Sequence, residues 1–115
     1  MTHAHRPTIL LAMMPGLRDY AFTRDQLDRL AAVGDLLAED SVDDLAAPGA
    51  QELLARADVL VGHWGCPTLT AEVMAAAPRL RLFAYAAGTV KWQATDALGD
   101  PGVVVTSAAG ANAVP

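Results

Sequence analysis

The sequence predicts an α/β domain built on an open parallel sheet with helices on both faces. Three observations carry that prediction. Short apolar runs alternate with stretches of helical periodicity along the whole chain. The apolar runs are nearly continuous rather than alternating, as strands buried on both faces are. Several helical stretches carry their own start or stop signals.

Thr8 to Met13 is the first apolar run, starting just after Pro7, and reads as a buried strand. Pro15-Gly16 breaks the chain. Thr23 opens a helix: Gln26 lies three residues on, as in a capping box, and Leu27, Leu30 and Ala31 share a face. Gly34 closes it as a C-terminal glycine. Asp35 to Ala38 is a second, weaker strand, followed by an acidic loop. Pro48-Gly49 leads into a short helix that buries Leu53, Leu54 and Ala57. Asp58 to Gly62 is the third strand. Thr70 caps the next helix, Glu72 sits in its positive first turn, and Pro78 ends it. Arg79 to Tyr85 is the fourth strand and Gly88 marks the turn after it. A helical segment near Lys91 to Leu98 leads to the Asp100-Pro101-Gly102 turn, and Val103 to Thr106 is the fifth strand.

Five strands with right-handed crossovers make a flavodoxin-like order the natural arrangement. The expected fold is therefore a flavodoxin-like open parallel five-stranded sheet, a single domain over residues 1–115. No helix follows the fifth strand, so the last unit reads as incomplete at the C-terminus. An apolar sheet face would then be exposed unless something outside the chain covers it.

The chain has 115 residues, of which 53% are apolar and 18% charged, and its net charge is −5. That excludes a disordered chain, and the lack of any Lys/Arg block excludes a phosphate-tracking nucleic-acid surface. Asp35, Glu39, Asp40, Asp43 and Asp44 cluster, but without the Gly and bidentate Glu of a calcium loop they read as a solvated loop. One cysteine, Cys66, fits a reducing compartment. The apolar run at Thr8 to Met14 is too short for a signal peptide or a membrane span, so the expected location is cytoplasmic, with no membrane contact.

Ligands of open α/β sheets sit beyond the carboxyl ends of the strands. Four loops qualify: 14–16, 63–67, 86–89 and 107–112. None carries G-x-G-x-x-G or a P-loop, and Met13-Met14 and Gly62-His63 stand where a phosphorelay receiver needs acids. Ala87-Gly88-Thr89 is more promising, because small residues at a strand end leave backbone N–H groups free for a carboxylate. The same residues also suit a plain strand-to-helix turn. His63 and Cys66 share a loop, yet they lack the further partners that a nucleophile or a metal requires. His63 reads as a polar loop residue, Trp64 as a cleft wall or core, and Cys66 as a buried thiol.

Taken in order, Ala77-Pro78, Leu80-Arg81-Leu82, Ala87-Gly88-Thr89 and Gly102-Val103-Val104-Val105 resemble the N-terminal region of the D-isomer-specific 2-hydroxyacid dehydrogenases. The resemblance covers residues 58–115 well and the first 57 only in layout. It implies a substrate-side domain in which the amides of Ala87 and Gly88 hold a substrate carboxylate. Where the family often has Asp two residues after that glycine, this chain has Val90. Asn112 falls where the formate dehydrogenase branch has a substrate-touching Asn, although a helix cap serves equally well there.

The resemblance also implies NAD or NADP in the complete enzyme, held by a nucleotide-binding domain absent from these residues. The family's catalytic Arg, Glu and His belong to that domain. No catalytic, cofactor or metal residue is assigned here, and the chain alone is expected to be inactive. The complete enzyme is expected to be a homodimer acting on a small 2-hydroxy or 2-keto acid. Two rivals remain: a stand-alone, non-catalytic flavodoxin-like binding module, and a small hydrolase using Cys66.

Overall fold

A computed structural model describes residues 6–38, 41–86 and 102–107. The elements are β1 (Thr8–Ala12), α1 (Leu17–Ala21), α2 (Arg24–Val33), β2 (Asp35–Leu36), α3 (Pro48–Arg56), β3 (Val59–Gly62), α4 (Ala71–Ala75), β4 (Leu82–Tyr85) and β5 (Val104–Ser107). The five strands form one sheet in the order β2-β1-β3-β4-β5, with every pair parallel. This is the flavodoxin-like arrangement expected from the alternation of elements.

Strand side chains alternate between the two faces, so each strand feeds two cores. Leu10, Ala12, Leu60, Phe83 and Tyr85 pack on one side with Leu54 of α3, and Val73 and Met74 of α4 lie against them. Ile9, Leu11, Met13 and Val61 pack on the other with Leu17 of α1 and Leu27 of α2. Leu10, Leu60 and Phe83 are fully buried. Each such side chain contributes about 1.5–3 kcal/mol relative to an exposed one. On the α1–α2 side the cover thins toward β5: Leu82 and Ala84 are half-buried, and Val104, the register partner of Leu82, is 59% exposed.

The Thr23 capping box forms as expected. Gln26 N–H donates to Thr23 Oγ1 at 3.1 Å and Thr23 N–H donates to Gln26 Oε1 at 2.9 Å. Thr23→Ala should lower stability by about 1 kcal/mol, read as an earlier urea midpoint, and Thr23→Ser should keep most of the cap's stability. An unchanged midpoint in the alanine variant would show that the cap contributes nothing.

Several boundaries differ from expectation. Gly34 does close α2, but its backbone is extended (φ −160°) rather than left-handed. A glycine is needed there for close approach: a Cβ would lie 2.6 Å from Ile9 Cδ1 and 2.7 Å from the Pro7 carbonyl. Pro15-Gly16 does not simply break the chain, since α1 starts directly after Gly16, whose φ is +78°. The second strand is only Asp35–Leu36. Val42 pairs separately with Ala12, its carbonyl accepting from Met13 N–H and its N–H donating to the Leu11 carbonyl. β4 starts at Leu82 rather than Arg79, because Arg79 lies in a turn closed by Leu80 N–H on the Ala77 carbonyl at 3.2 Å, with Pro78 at its second position. The expected helix around residues 91–98 lies outside the described residues.

Asp58 ties the amino ends of three segments together. Its carboxylate, 9% exposed, accepts from Thr8 N–H at 2.9 Å and Thr8 Oγ1 at 3.1 Å, and lies 3.3 Å from Arg79 Nη2. Its backbone carbonyl accepts from Arg81 N–H at 2.9 Å, where the chain enters β4. The Thr8 hydroxyl also meets the Arg56 carbonyl at the end of α3.

Candidate functional site at the carboxyl ends of the strands

The loops that leave β1, β3 and β4 are laced together by backbone hydrogen bonds. His63 N–H donates to the Ala12 carbonyl at 3.2 Å, Met14 N–H to the Trp64 carbonyl at 2.8 Å, and Ala86 N–H to the Gly62 carbonyl at 2.7 Å. Residues 63–66 form a turn closed by Cys66 N–H on the His63 carbonyl at 2.9 Å. Its third residue, Gly65, has φ +84°, which this type of turn demands and which favours glycine. A Cβ on Gly65 would also lie 2.6–2.9 Å from Met14 Cβ, N and Cα, so the two loops touch where only a hydrogen fits.

His63 is half-buried, and its Nδ1 accepts the N–H of Trp64 at 2.8 Å. Burial lowers its pKa below the ordinary 6.5, so the ring is neutral at neutral pH, and with Nδ1 accepting, its proton sits on Nε2. The imidazole stands edge-on to Trp64 with ring centres 5.2 Å apart, and edge-on to Phe22 at 6.2 Å. The spacing of residues in the chain gave no sign of Phe22, which arrives from the far end of α1. Trp64 is 55% exposed and Met14 46% exposed. Trp64 is therefore a wall at the mouth of the sheet and not part of the core.

Cys66 is buried beneath this turn, as expected, and burial pushes its thiol up to about 12. A thiol so protonated is a poor nucleophile, which counts against a hydrolase built on it. The sign follows directly: protonation is favoured in the folded chain, so this contribution to stability is complete below pH 9 and is lost between pH 9 and 12. Iodoacetamide at pH 8 should leave Cys66 unmodified in the folded chain and label it fully in urea. Rapid labelling without urea would contradict this burial. Among the described residues, no group of three or more His, Cys, Asp or Glu side chains is placed to hold a metal ion.

Ala87, Gly88 and Asn112, the sequence-derived substrate contacts, lie outside the described residues. Their approaches are described. Gly62 and Tyr85 are register partners at the ends of β3 and β4, and Tyr85 in turn pairs with Ser107 of β5. Ala86, which follows β4, thus lies beside the strand end that leads into the His63–Trp64 turn. Of the five clustered acids, Asp35 pairs with Arg6 at 3.0 Å and Asp44 Oδ1 accepts from Ala46 N–H at 2.9 Å, while Glu39 and Asp40 lie outside the described residues. No helix among the described residues is long and apolar enough to cross a membrane.

No protein-family model matches the chain, and a search of curated proteins finds no match. Among solved structures, the chain is similar to a crystal structure of a phosphoglycerate oxidoreductase from Rhizobium etli. The TM-score is 0.65 and the identity 22%, over 89% of this chain and 30% of that one. The likeness shows the flavodoxin-like fold, and the chain spans less than a third of that protein's length.

Proposed function

We propose that this chain is the substrate-side domain of an NAD(P)-dependent oxidoreductase that interconverts 2-hydroxy and 2-keto acids. What supports the proposal is the position of Ala86, which Ala87 and Gly88 follow in sequence, beside the strand end that leads into the turn at His63–Pro67. Likeness of fold to a phosphoglycerate oxidoreductase supports it, and glycerate is itself a 2-hydroxy acid. The ordered motifs from Ala77 to Val105 point the same way.

In this reading Ala87 and Gly88 hold the carboxylate through backbone N–H groups, which take an anion without any cationic side chain. Asn112 offers an amide to the substrate's oxygen. The nicotinamide belongs to another domain. The sequence has no G-x-G-x-x-G, and the helix after β1 is only five residues long behind a Met14-Pro15-Gly16 turn, a poor cradle for a pyrophosphate. When bound, the cofactor supplies the hydride chemistry; this chain binds and orients the acid and helps to exclude water.

The test is an amide-resolved NMR titration of the 115-residue chain with glyoxylate. Ala87 and Gly88 should show the largest shifts, and Gly88→Pro, which deletes one N–H, should weaken binding about tenfold or more. The chain alone should not oxidise NADH in the presence of glyoxylate. Binding that leaves both amides unmoved, or NADH oxidation by the purified chain, would overturn the proposal.

A further inference from the structure

We infer that the cleft between α1, α2 and the edge strand β2 is a second binding site, for an organic monocarboxylate with an apolar body. The cleft has a volume of about 620 Å³, which falls in the range of small-molecule sites. Among the described residues, none of the strand-exit loops lines it. Its walls follow from helical spacing. Arg24, Leu27, Asp28 and Ala31 recur at three, four and seven residues, so they share one face of α2. Arg18 and Phe22, four residues apart, supply the wall from α1 and its carboxyl end. Leu36 adds an apolar contact from β2. Phe22 and Leu36 are half-buried and Ala31 is exposed, so apolar surface is available to a ligand. Phe22 is steadied by His63, whose ring stands edge-on to it at 6.2 Å.

Arg18 is the residue that points to an anion. Its Nε is buried and has no hydrogen-bond partner. Among the described residues its guanidinium makes no ion pair, although Asp19 and Asp28 line the same cleft. Removing an N–H from water without a partner is unfavourable, so a carboxylate that meets this guanidinium recovers what the fold leaves unmet. The planar fork of arginine suits a carboxylate held at two points. Arg24 adds a second cation. Its side chain is 91% exposed, and Nε lies 3.6 Å from Asp28 Oδ1 in a weak i,i+4 pair, so its other nitrogens are free to turn to a ligand. The balance of charge sets the class. Two arginines face two aspartates, so a phosphate dianion would be drawn by one pair and repelled by the other. A monocarboxylate needs a single fork and lays its apolar remainder against Phe22, Leu27, Ala31 and Leu36.

The experiment is an amide-resolved NMR titration of the 115-residue chain with four probes: phenylacetate, acetate, 2-phenylacetamide and inorganic phosphate. Phenylacetate should shift the amides of residues 18–31. It should bind about tenfold or more tighter than acetate, which lacks the ring, and than 2-phenylacetamide, which lacks the charge. Arg18→Gln should weaken phenylacetate about tenfold or more, and Arg18→Lys, which keeps the charge without the fork, should restore only part of the loss. Arg24→Gln, at an exposed position, should weaken it less. Thermal melts check that all three variants fold. Phosphate binding tighter than phenylacetate, or 2-phenylacetamide binding as well as phenylacetate, would overturn the ligand class. Shifts confined to residues 14 and 63–67 would overturn the place. Full affinity in a folded Arg18→Gln, or no binding of any probe, would overturn the inference as a whole. The hydroxy-acid reading stands or falls separately, on the glyoxylate titration.

Discussion

Asp58→Ala should destabilise the chain by about 2–4 kcal/mol, the range for a buried, hydrogen-bonded carboxylate whose cationic partner is half-exposed. Three effects add. Thr8 N–H loses its 2.9 Å acceptor, the Thr8 hydroxyl loses a partner, and the Arg79 guanidinium loses the anion beside it. Those bonds join β1, the entry to β3 and the approach to β4, so their loss frees the amino ends of three neighbouring strands together. Asp58→Asn should cost less, because an amide oxygen can still accept from Thr8 while the amide nitrogen faces Arg79 without benefit. Urea denaturation measures both, and a loss under about 0.5 kcal/mol for the alanine variant would show that the cluster is dispensable. Since Asp58 lies at the end of the sheet opposite the mouth, affinity for 2-keto acids under conditions where the variant stays folded should be unaffected.

The two kinds of feature, strand ends that hold the sheet and strand ends that bind, were unequally legible in the sequence. The strands are visible because Ile9–Met13 and Val59–Gly62 are apolar without interruption, the local pattern of a doubly covered strand. Thr23 was legible for the same reason, since a capping box is complete within four residues. Gly34 was found in the right place for the wrong cause. Its neighbours in the chain suggest a left-handed cap, but what requires glycine is Ile9, brought there by the sheet from 25 residues earlier. α1 went unseen because a five-residue helix shows too little periodicity to distinguish from a turn. Arg79 reads as strand by its apolar neighbours, but it lies in a turn closed by Leu80 N–H on the Ala77 carbonyl, from which its side chain meets Asp58.

The site divides along the same line. The sequence marks Gly65 only as a loop residue and leaves Trp64 between cleft wall and core, which its exposure decides for the wall. Nothing near them in sequence announces that Met14, 50 residues away, shares their turn. Phe22 was invisible as a site residue because it reaches His63 across a crossover. The positions assigned by resemblance, Ala87, Gly88 and Asn112, rest on backbone donors and a small amide. Such residues leave little trace in composition or spacing, since almost any small side chain permits an exposed N–H.

Gly65→Ala should be the most damaging single change at the mouth, and its effects on stability and on binding should arrive together. Two independent costs meet at this residue. A φ of +84° is strained for alanine by about 1 kcal/mol or more. The new methyl would also lie 2.6 Å from Met14 Cβ and 2.7 Å from Met14 N, where the obstacle is backbone and cannot rotate away. Overpacking of that kind costs about 1–3 kcal/mol, so a total of about 2–4 kcal/mol is expected from urea denaturation. Relief requires the β1 and β3 loops to separate, which breaks the Met14 N–H bond to the Trp64 carbonyl and releases the indole. The variant should therefore weaken any binding of 2-keto acids at the mouth even where it remains folded, and Trp64 fluorescence should shift toward that of a solvated indole. Gly16→Ala is the matching control: its φ is +78° but a Cβ there meets nothing within 4 Å. It carries the backbone strain without the collision, and its loss should be smaller with the Trp64 fluorescence retained. Equal losses in the two variants would mean that backbone conformation alone accounts for Gly65 and that the contact with Met14 does not organise the mouth.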